Sequence, residues 1–261
     1  MSAPCSPCSL DGRGVLVTRP AVQAESLCRL VSAAGGRPIA FPTIEILPAC
    51  DIDSARARLA ESWDLILFVS RNAVEHGCAL APPGGFGMAL IGAVGRATAA
   101  ALEEAGLPPQ LVPVSGFDSE SLLALPELTG VAGKRVLIVR GEGGRALLGD
   151  TLVVRGADVH YAEVYRRSVP AVEIGPQLSQ WRSEVGYVTA TSDEVLNNLM
   201  RLVGDAGRDW LLETPLVVIS ERGAAGAMQL GFRTVAVADE ASDAGIVDAL
   251  CRLAWSRPAA S

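Results

Sequence analysis

Lysine is nearly absent from this chain. Of its 22 basic residues only Lys134 is a lysine, so almost every positive charge is an arginine. Histidine is equally scarce, and His76 and His160 lie too far apart in sequence to suggest a metal site. The net charge of −7 argues against general nucleic-acid binding. No run approaches the ~18 apolar residues of a membrane span. The opening "MSAPCSPCSLDGRG" lacks the apolar core of a signal peptide, so residues 1–11 are predicted to be a loose tail and the protein cytoplasmic. Cys5 and Cys8 form a C-x-x-C in that tail with no second pair at zinc spacing. Cys28, Cys50, Cys78 and Cys251 lie in apolar or helical stretches, as cysteines of a reducing compartment do.

What the chain does have is enough apolar residues, 49%, to build a core. Its 261 residues suffice for two domains of ordinary size. Short apolar runs alternate with stretches of helical period. "GVLVTRP" (14–20) reads as a strand ending in a polar turn, and 21–36 as a helix closed by Gly35 and Gly36. "DLILFVS" (64–70), "ALIGAVG" (89–95), "KRVLIVRGEGG" (134–144), "VGYVTATS" (185–192) and "PLVVISERG" (215–223) follow the same pattern. Strands alternating with helices imply an α/β protein with parallel sheets. The stretches 37–48 and 158–170 read as extended, and prolines 38, 42 and 48 keep the first out of a central strand position.

An internal repeat accompanies this alternation. VLVTR (15–19) matches VLIVR (136–140) at a spacing of 121, and FVSRNAV (68–74) matches ATSDEVL (190–196) at 122. AVGRATAAALEEAGL (93–107) matches VISERGAAGAMQLGF (218–232) at 125. Near-constant offsets predict two similar α/β domains.

Ligands of parallel α/β sheets bind beyond the C-terminal strand ends. Here those ends carry Thr18 and Arg19, Ser70, Thr98, Arg140 and Gly141, Thr191 and Ser192, and Ser220 with Arg222. Hydroxyls and free amides at helix starts can hold a carboxylate, and arginine can grip one with two nitrogens. The same hydroxyls are ordinary helix caps, so no single one identifies a site. Together they point to an anionic ligand. In "YRRSVP" (165–170) a tyrosine precedes two arginines. Tyr165 is either a packed core ring or a phenol that donates a proton, and of Arg166 and Arg167 at most one faces the same way as any neighbouring site.

The ordered set "VLVTRP", "FVSRNAVE", "AVGRATAAAL", "VLIVRGEGGRALLGDTLVVRGADV", "EVYRR" and "TATS" resembles uroporphyrinogen-III synthase over about residues 12–255. The resemblance implies a lyase of the tetrapyrrole pathway that closes linear hydroxymethylbilane to uroporphyrinogen III and inverts the last ring. It implies no metal or organic cofactor. It also implies one discontinuous domain (12–36 with 171–255), a second domain (50–157) and linker strands at 37–48 and 158–170, with the active cleft between the domains. Tyr165 matches the family's assisting acid, and a phenol, with a pKa of about 10, stays protonated at neutral pH. Thr98 matches a family threonine in G-x-A-T-A. Its repeat partner Gly223 stands where family members often keep a threonine, so no hydroxyl is expected there.

The expected partner is thus a small-molecule substrate, with no nucleic acid and no membrane. The protein is expected to act as a monomer, taking substrate by transient hand-over from the preceding pathway enzyme. Two other readings are open on the residues alone. A non-catalytic two-domain binder of an anionic small molecule would show similar strand ends. A nucleotide-binding protein using Gly141–Gly144 is opposed by the missing phosphate-loop lysine and dinucleotide fingerprint.

Overall fold

A computed structural model describes residues 9–116 and 118–255, so Cys5 and Cys8 lie outside the described residues. The chain opens with β1 (Gly14–Val17), α1 (Ala21–Ala33) and β2 (Arg37–Ala40). It continues through β3 (Glu45–Pro48), α2 (Ile52–Leu59), β4 (Leu65–Phe68), α3 (Arg71–Leu80), β5 (Leu90–Ala93) and α4 (Arg96–Glu104). Then follow α5 (Ser119–Leu123), α6 (Pro126–Thr129), β6 (Arg135–Gly141), α7 (Leu147–Val154) and β7 (Asp158–Ser168). The last part holds α8 (Gly175–Glu184), β8 (Val185–Ala190), α9 (Asp193–Glu213), β9 (Leu216–Val218), α10 (Glu221–Leu230), β10 (Val235–Val237) and α11 (Asp243–Trp255).

These elements form two compact units. One contains the residues up to Glu45 and those from Ser168 onward, and the other is Ile46–Arg167. Each unit has its own five-stranded sheet. The first runs β10-β9-β8-β1-β2 and the second β3-β7-β6-β4-β5. The pairings along β2-β1-β8-β9-β10 and along β7-β6-β4-β5 are parallel. Strand for strand, β1 corresponds to β6, β8 to β4 and β9 to β5, which is the correspondence of the sequence repeat.

The residue pattern explains both layers. In β4 the run Leu65–Phe68 is wholly buried, because helices cover both faces of a parallel sheet. Ile66, Phe68, Leu137 and Val139 pack with Val74 and Leu102 from α3 and α4. Leu65, Leu67, Val136 and Ile138 face the other way, onto Leu122, Leu128, Leu148 and Leu152. The two-residue strand period thus divides one apolar run between two cores. In the first unit Val15, Val17, Tyr187 and Val217 pack against Leu27, Val31, Ile246 and Leu250 of α1 and α11.

The extended stretch 37–48 contains two strands. β2 is an edge of the first sheet and β3 an edge of the second, so Pro38 and Pro48 each sit where a missing amide hydrogen leaves no gap in a central ladder. β7 pairs with β6 from Asp158 to Tyr165, so most of 158–170 is also sheet. The chain crosses between units at 45/46 and 167/168, and both stretches are sheet strands as well as connections.

Candidate active site

The C-terminal strand ends of each sheet lead into helix starts, and the same local chemistry is used repeatedly. Ser70, Ser192 and Ser220 take extended backbone after β4, β8 and β9 and cap the helices that follow. Their hydroxyl oxygens accept from the amides of Ala73 (3.1 Å), Val195 (3.2 Å) and Gly223 (3.1 Å). Each cap satisfies one of the amides that a helix start leaves unbonded. In an open parallel sheet ligands gather where the strand order reverses. In the first unit the reversal lies between β1 and β8, and in the second between β6 and β4.

In the second unit a cavity of about 550 Å³ opens at these strand ends. Its wall includes Ser70, Arg140, Gly141, Arg145, Tyr165 and Arg167. Tyr165 is only 6% exposed and its ring belongs to the core beneath. Its hydroxyl lies 3.2 Å from Ser70 Oγ. The ring rests on the backbone of β6, where a β-carbon on Gly141 would come within 2.6 Å of Tyr165 Cζ. Packed ring and polar tip are therefore both present: the apolar face is buried and the hydroxyl reaches the cavity wall. Arg167 shares that wall, two strand positions after Tyr165.

Arg140 is held within its own sheet. Nε and Nη2 donate to Glu163 Oε1 on β7 at 3.1 and 2.9 Å, Nη1 donates to the Gly144 carbonyl at 3.2 Å, and the guanidinium lies 4.0 Å from the Tyr161 ring centre. It shapes the Gly141–Arg145 loop. Asp118 and Ser119, also on the cavity wall, were not singled out in the sequence. The Ser121 side chain, and then its amide, hold the Asp118 carboxyl below the usual carboxylate range. Asp118 is the N-cap of α5, a preferred capping residue type whose presence could have marked this turn.

In the first unit a cavity of about 280 Å³ is lined by Thr191, Ser192, Ser220, Arg222 and Gly223. The starts of α9 and α10 thus meet at one place. Arg222 is largely exposed, with Nε 3.6 Å from Asp193. Thr18 and Arg19 do not join this wall. The Thr18 hydroxyl is buried and donates to the Thr189 carbonyl, while Thr189 Oγ1 donates back to the Leu16 carbonyl at 3.2 Å. These bonds stitch β1 to β8. Arg19 pairs with Asp243 at the start of α11. Thr98 is buried in α4 at 4% exposure, outside both cavity walls. Among the described residues no helix is long and apolar enough to cross a membrane.

Comparison with known proteins gives a consistent result. The profile of the family described as uroporphyrinogen-III synthase HemD matches residues 25–248. A uroporphyrinogen-III synthase of Salmonella typhimurium is 36% identical over 252 residues, covering 90% of this chain and 99% of that protein. One from Escherichia coli is 37% identical over 249 residues, with the same coverage. Among solved structures, the Helicobacter pylori uroporphyrinogen-III synthetase aligns with a TM-score of 0.60 at 14% identity, covering 92% of this chain and 99% of that one. A mutant Thermus thermophilus uroporphyrinogen III synthase aligns at 0.57 and 21% identity, covering 94% and 100%. At such identities these two structures speak for the fold alone.

Proposed function

The chain belongs to the uroporphyrinogen-III synthase family, and from that membership we infer how its own residues divide the work of the reaction. The reaction is the closure of hydroxymethylbilane to uroporphyrinogen III, with inversion of the last ring and loss of water, in tetrapyrrole biosynthesis. The chain is a cyclising lyase, and a purely non-catalytic binder is not favoured.

Our reading gives Tyr165 the role of proton donor. The C–O bond of the hydroxymethyl group breaks with its electron pair on oxygen, and the phenol proton converts the departing hydroxyl to water. The remaining azafulvene is attacked by the last pyrrole through its substituted carbon, and the spiro intermediate fragments and recloses. Only water leaves overall, so the phenolate regains a proton as ring closure releases one. Arg167, Arg145 and the amides of the Gly143–Gly144 turn take substrate carboxylates in the second unit. Thr191, Ser192, Ser220 and Arg222 take them in the first. Arg140 and Gly141 hold the wall in shape, and Thr18, Arg19 and Thr98 support the strand ends from behind.

The observation that carries this reading is a buried tyrosine whose hydroxyl reaches a cavity wall bearing three arginines. The test uses freshly prepared hydroxymethylbilane, with isomers I and III resolved after short incubations. Tyr165→Phe is expected to lower kcat about 100-fold, the ordinary size of a general-acid contribution, with its enzymic product still mostly isomer III. An unchanged kcat would remove Tyr165 from the chemistry. We also take the protein to work as a cytoplasmic monomer, without metal or organic cofactor, receiving substrate by transient hand-over from the preceding pathway enzyme.

A further inference from the structure

Ser70 was expected among the substrate-binding hydroxyls, yet its neighbours suit another task. Its Oγ accepts the Ala73 amide at 3.1 Å and lies 3.2 Å from the Tyr165 hydroxyl. We propose that Ser70 is a positioning residue that acts through Tyr165, donating a hydrogen bond to the phenol oxygen as that oxygen loses its own proton. The inference rests on the proton-donor role given to Tyr165 above.

The direction of the bond follows from what each partner can do. A serine hydroxyl has one hydrogen and two lone pairs, and the Ala73 amide occupies one of the pairs. Before proton transfer the phenol can donate or accept, so the bond can run either way. Once Tyr165 has given its proton to the leaving hydroxyl, its oxygen can only accept. Ser70 must then be the donor. A hydrogen bond to an anionic oxygen is roughly twice as strong as a neutral one. The bond therefore tightens along the reaction, and only interactions that tighten in this way accelerate the chemical step.

Position supports the role. Ser70 is fixed by two constraints that do not involve substrate: the end of β4, a buried central strand, and the first turn of α3. The Ala73 amide that anchors Ser70 belongs to the positive end of that helix, which favours negative charge on the atoms bonded there. The Tyr165 ring is fixed from below by Gly141, so the oxygen has little freedom to leave Ser70. His76 on α3 flanks the ring, 5.8 Å away between centres. Ser192 caps α9 in the same way, but the wall of its cavity includes no tyrosine.

The test separates capping from donation. Ser70→Asp keeps a good cap but offers no proton to a phenolate and adds a like charge. Ser70→Thr keeps both functions. In the full-length protein, Ser70→Ala is expected to lower kcat about tenfold, the size of losing a charge-assisted bond in place of a neutral one, with KM little changed. Ser70→Asp should lower it at least as much while melting at or near the parent temperature, and Ser70→Thr should recover most of the rate. In a Tyr165→Phe background, Ser70→Ala should cost no more than about a further twofold, because residues acting through one group are not additive. Parent-like activity in Ser70→Asp, or an undiminished loss from Ser70→Ala in the Phe background, would overturn the proposal. A fully active Tyr165→Phe would instead strike at the proton-donor role itself.

Discussion

At Gly141 the backbone of β6 passes so close beneath the Tyr165 ring that any side chain must displace it. Gly141→Ala therefore tests the placement of the phenol without altering the phenol. Forcing a methyl group into this packed layer should cost about 1–3 kcal/mol of stability, read from a denaturant midpoint. If Tyr165 is the proton donor proposed above, kcat should fall towards that of Tyr165→Phe, because the hydroxyl is displaced. Thr18 makes the opposite prediction. Its hydroxyl lies within the β1–β8 seam, so Thr18→Val should lower stability by about 1–2 kcal/mol and leave KM nearly unchanged. Sequence was informative to different degrees at these positions. A tyrosine beside two arginines makes Tyr165 a candidate in one short motif. The carbonyl that receives the Thr18 hydroxyl lies 171 residues away, and nothing within "VLVTRP" distinguishes a hydroxyl facing a neighbouring strand from one facing a ligand.

Among the elements, α9 carries the clearest internal break. Gly204 adopts φ 59° and ψ −169°, so two helical segments meet there at a conformation that a β-carbon strongly disfavours. Apart from its chain neighbours and the helix's own nearby backbone, nothing among the described residues lies within 4 Å of the place a β-carbon would occupy, so backbone strain is the expected penalty. Gly204→Ala should lower stability by about 1–3 kcal/mol, with a kcat near the parent value if the break serves packing alone. The strands and their caps were legible because buried runs of four to seven residues end in Ser or Gly before a helical period begins. The segment 37–48 was less so. Its prolines correctly exclude a central strand, but no local feature says that β2 joins one sheet and β3 the other. That assignment is made by partners distant in sequence.

Across the whole molecule, each unit has an arginine that draws a carboxyl below its usual range. The Arg135 side chain does this to Glu61 in the second unit, and the Arg37 side chain to Glu184 in the first. A folded-state pKa below the unfolded value of about 4.3 contributes stability that is present above that value and lost as pH falls through the folded one. Both units should therefore weaken in the same acidic window, below about pH 4.3, and Glu61→Gln with Glu184→Gln should flatten that part of a Tm-against-pH curve. Both groups are solvent-facing, so added salt should shrink the effect. The division into units has its own test. Ile46–Arg167 is one uninterrupted segment with cores on both faces of its sheet, and expressed alone it should melt cooperatively. The segment from Ser168 onward lacks β1 and β2, and should fold only when the opening segment is supplied in trans.

The same interruption sets an order in time. β1 leaves the ribosome before β8, and its stitch to β8 joins residues 171 positions apart. At about 5–20 residues per second, roughly ten to thirty seconds of synthesis separate the two strands. All of Ile46–Arg167 emerges during that interval, and every strand of its sheet lies within residues 45–168. The inserted segment is therefore expected to be the first to become native, with the apolar face of α1 and the strand edges of β1 uncovered until β8 emerges. A chaperone that shields nascent apolar chain should meet this protein at residues 14–40, and the length at which it lets go should coincide with the emergence of β8.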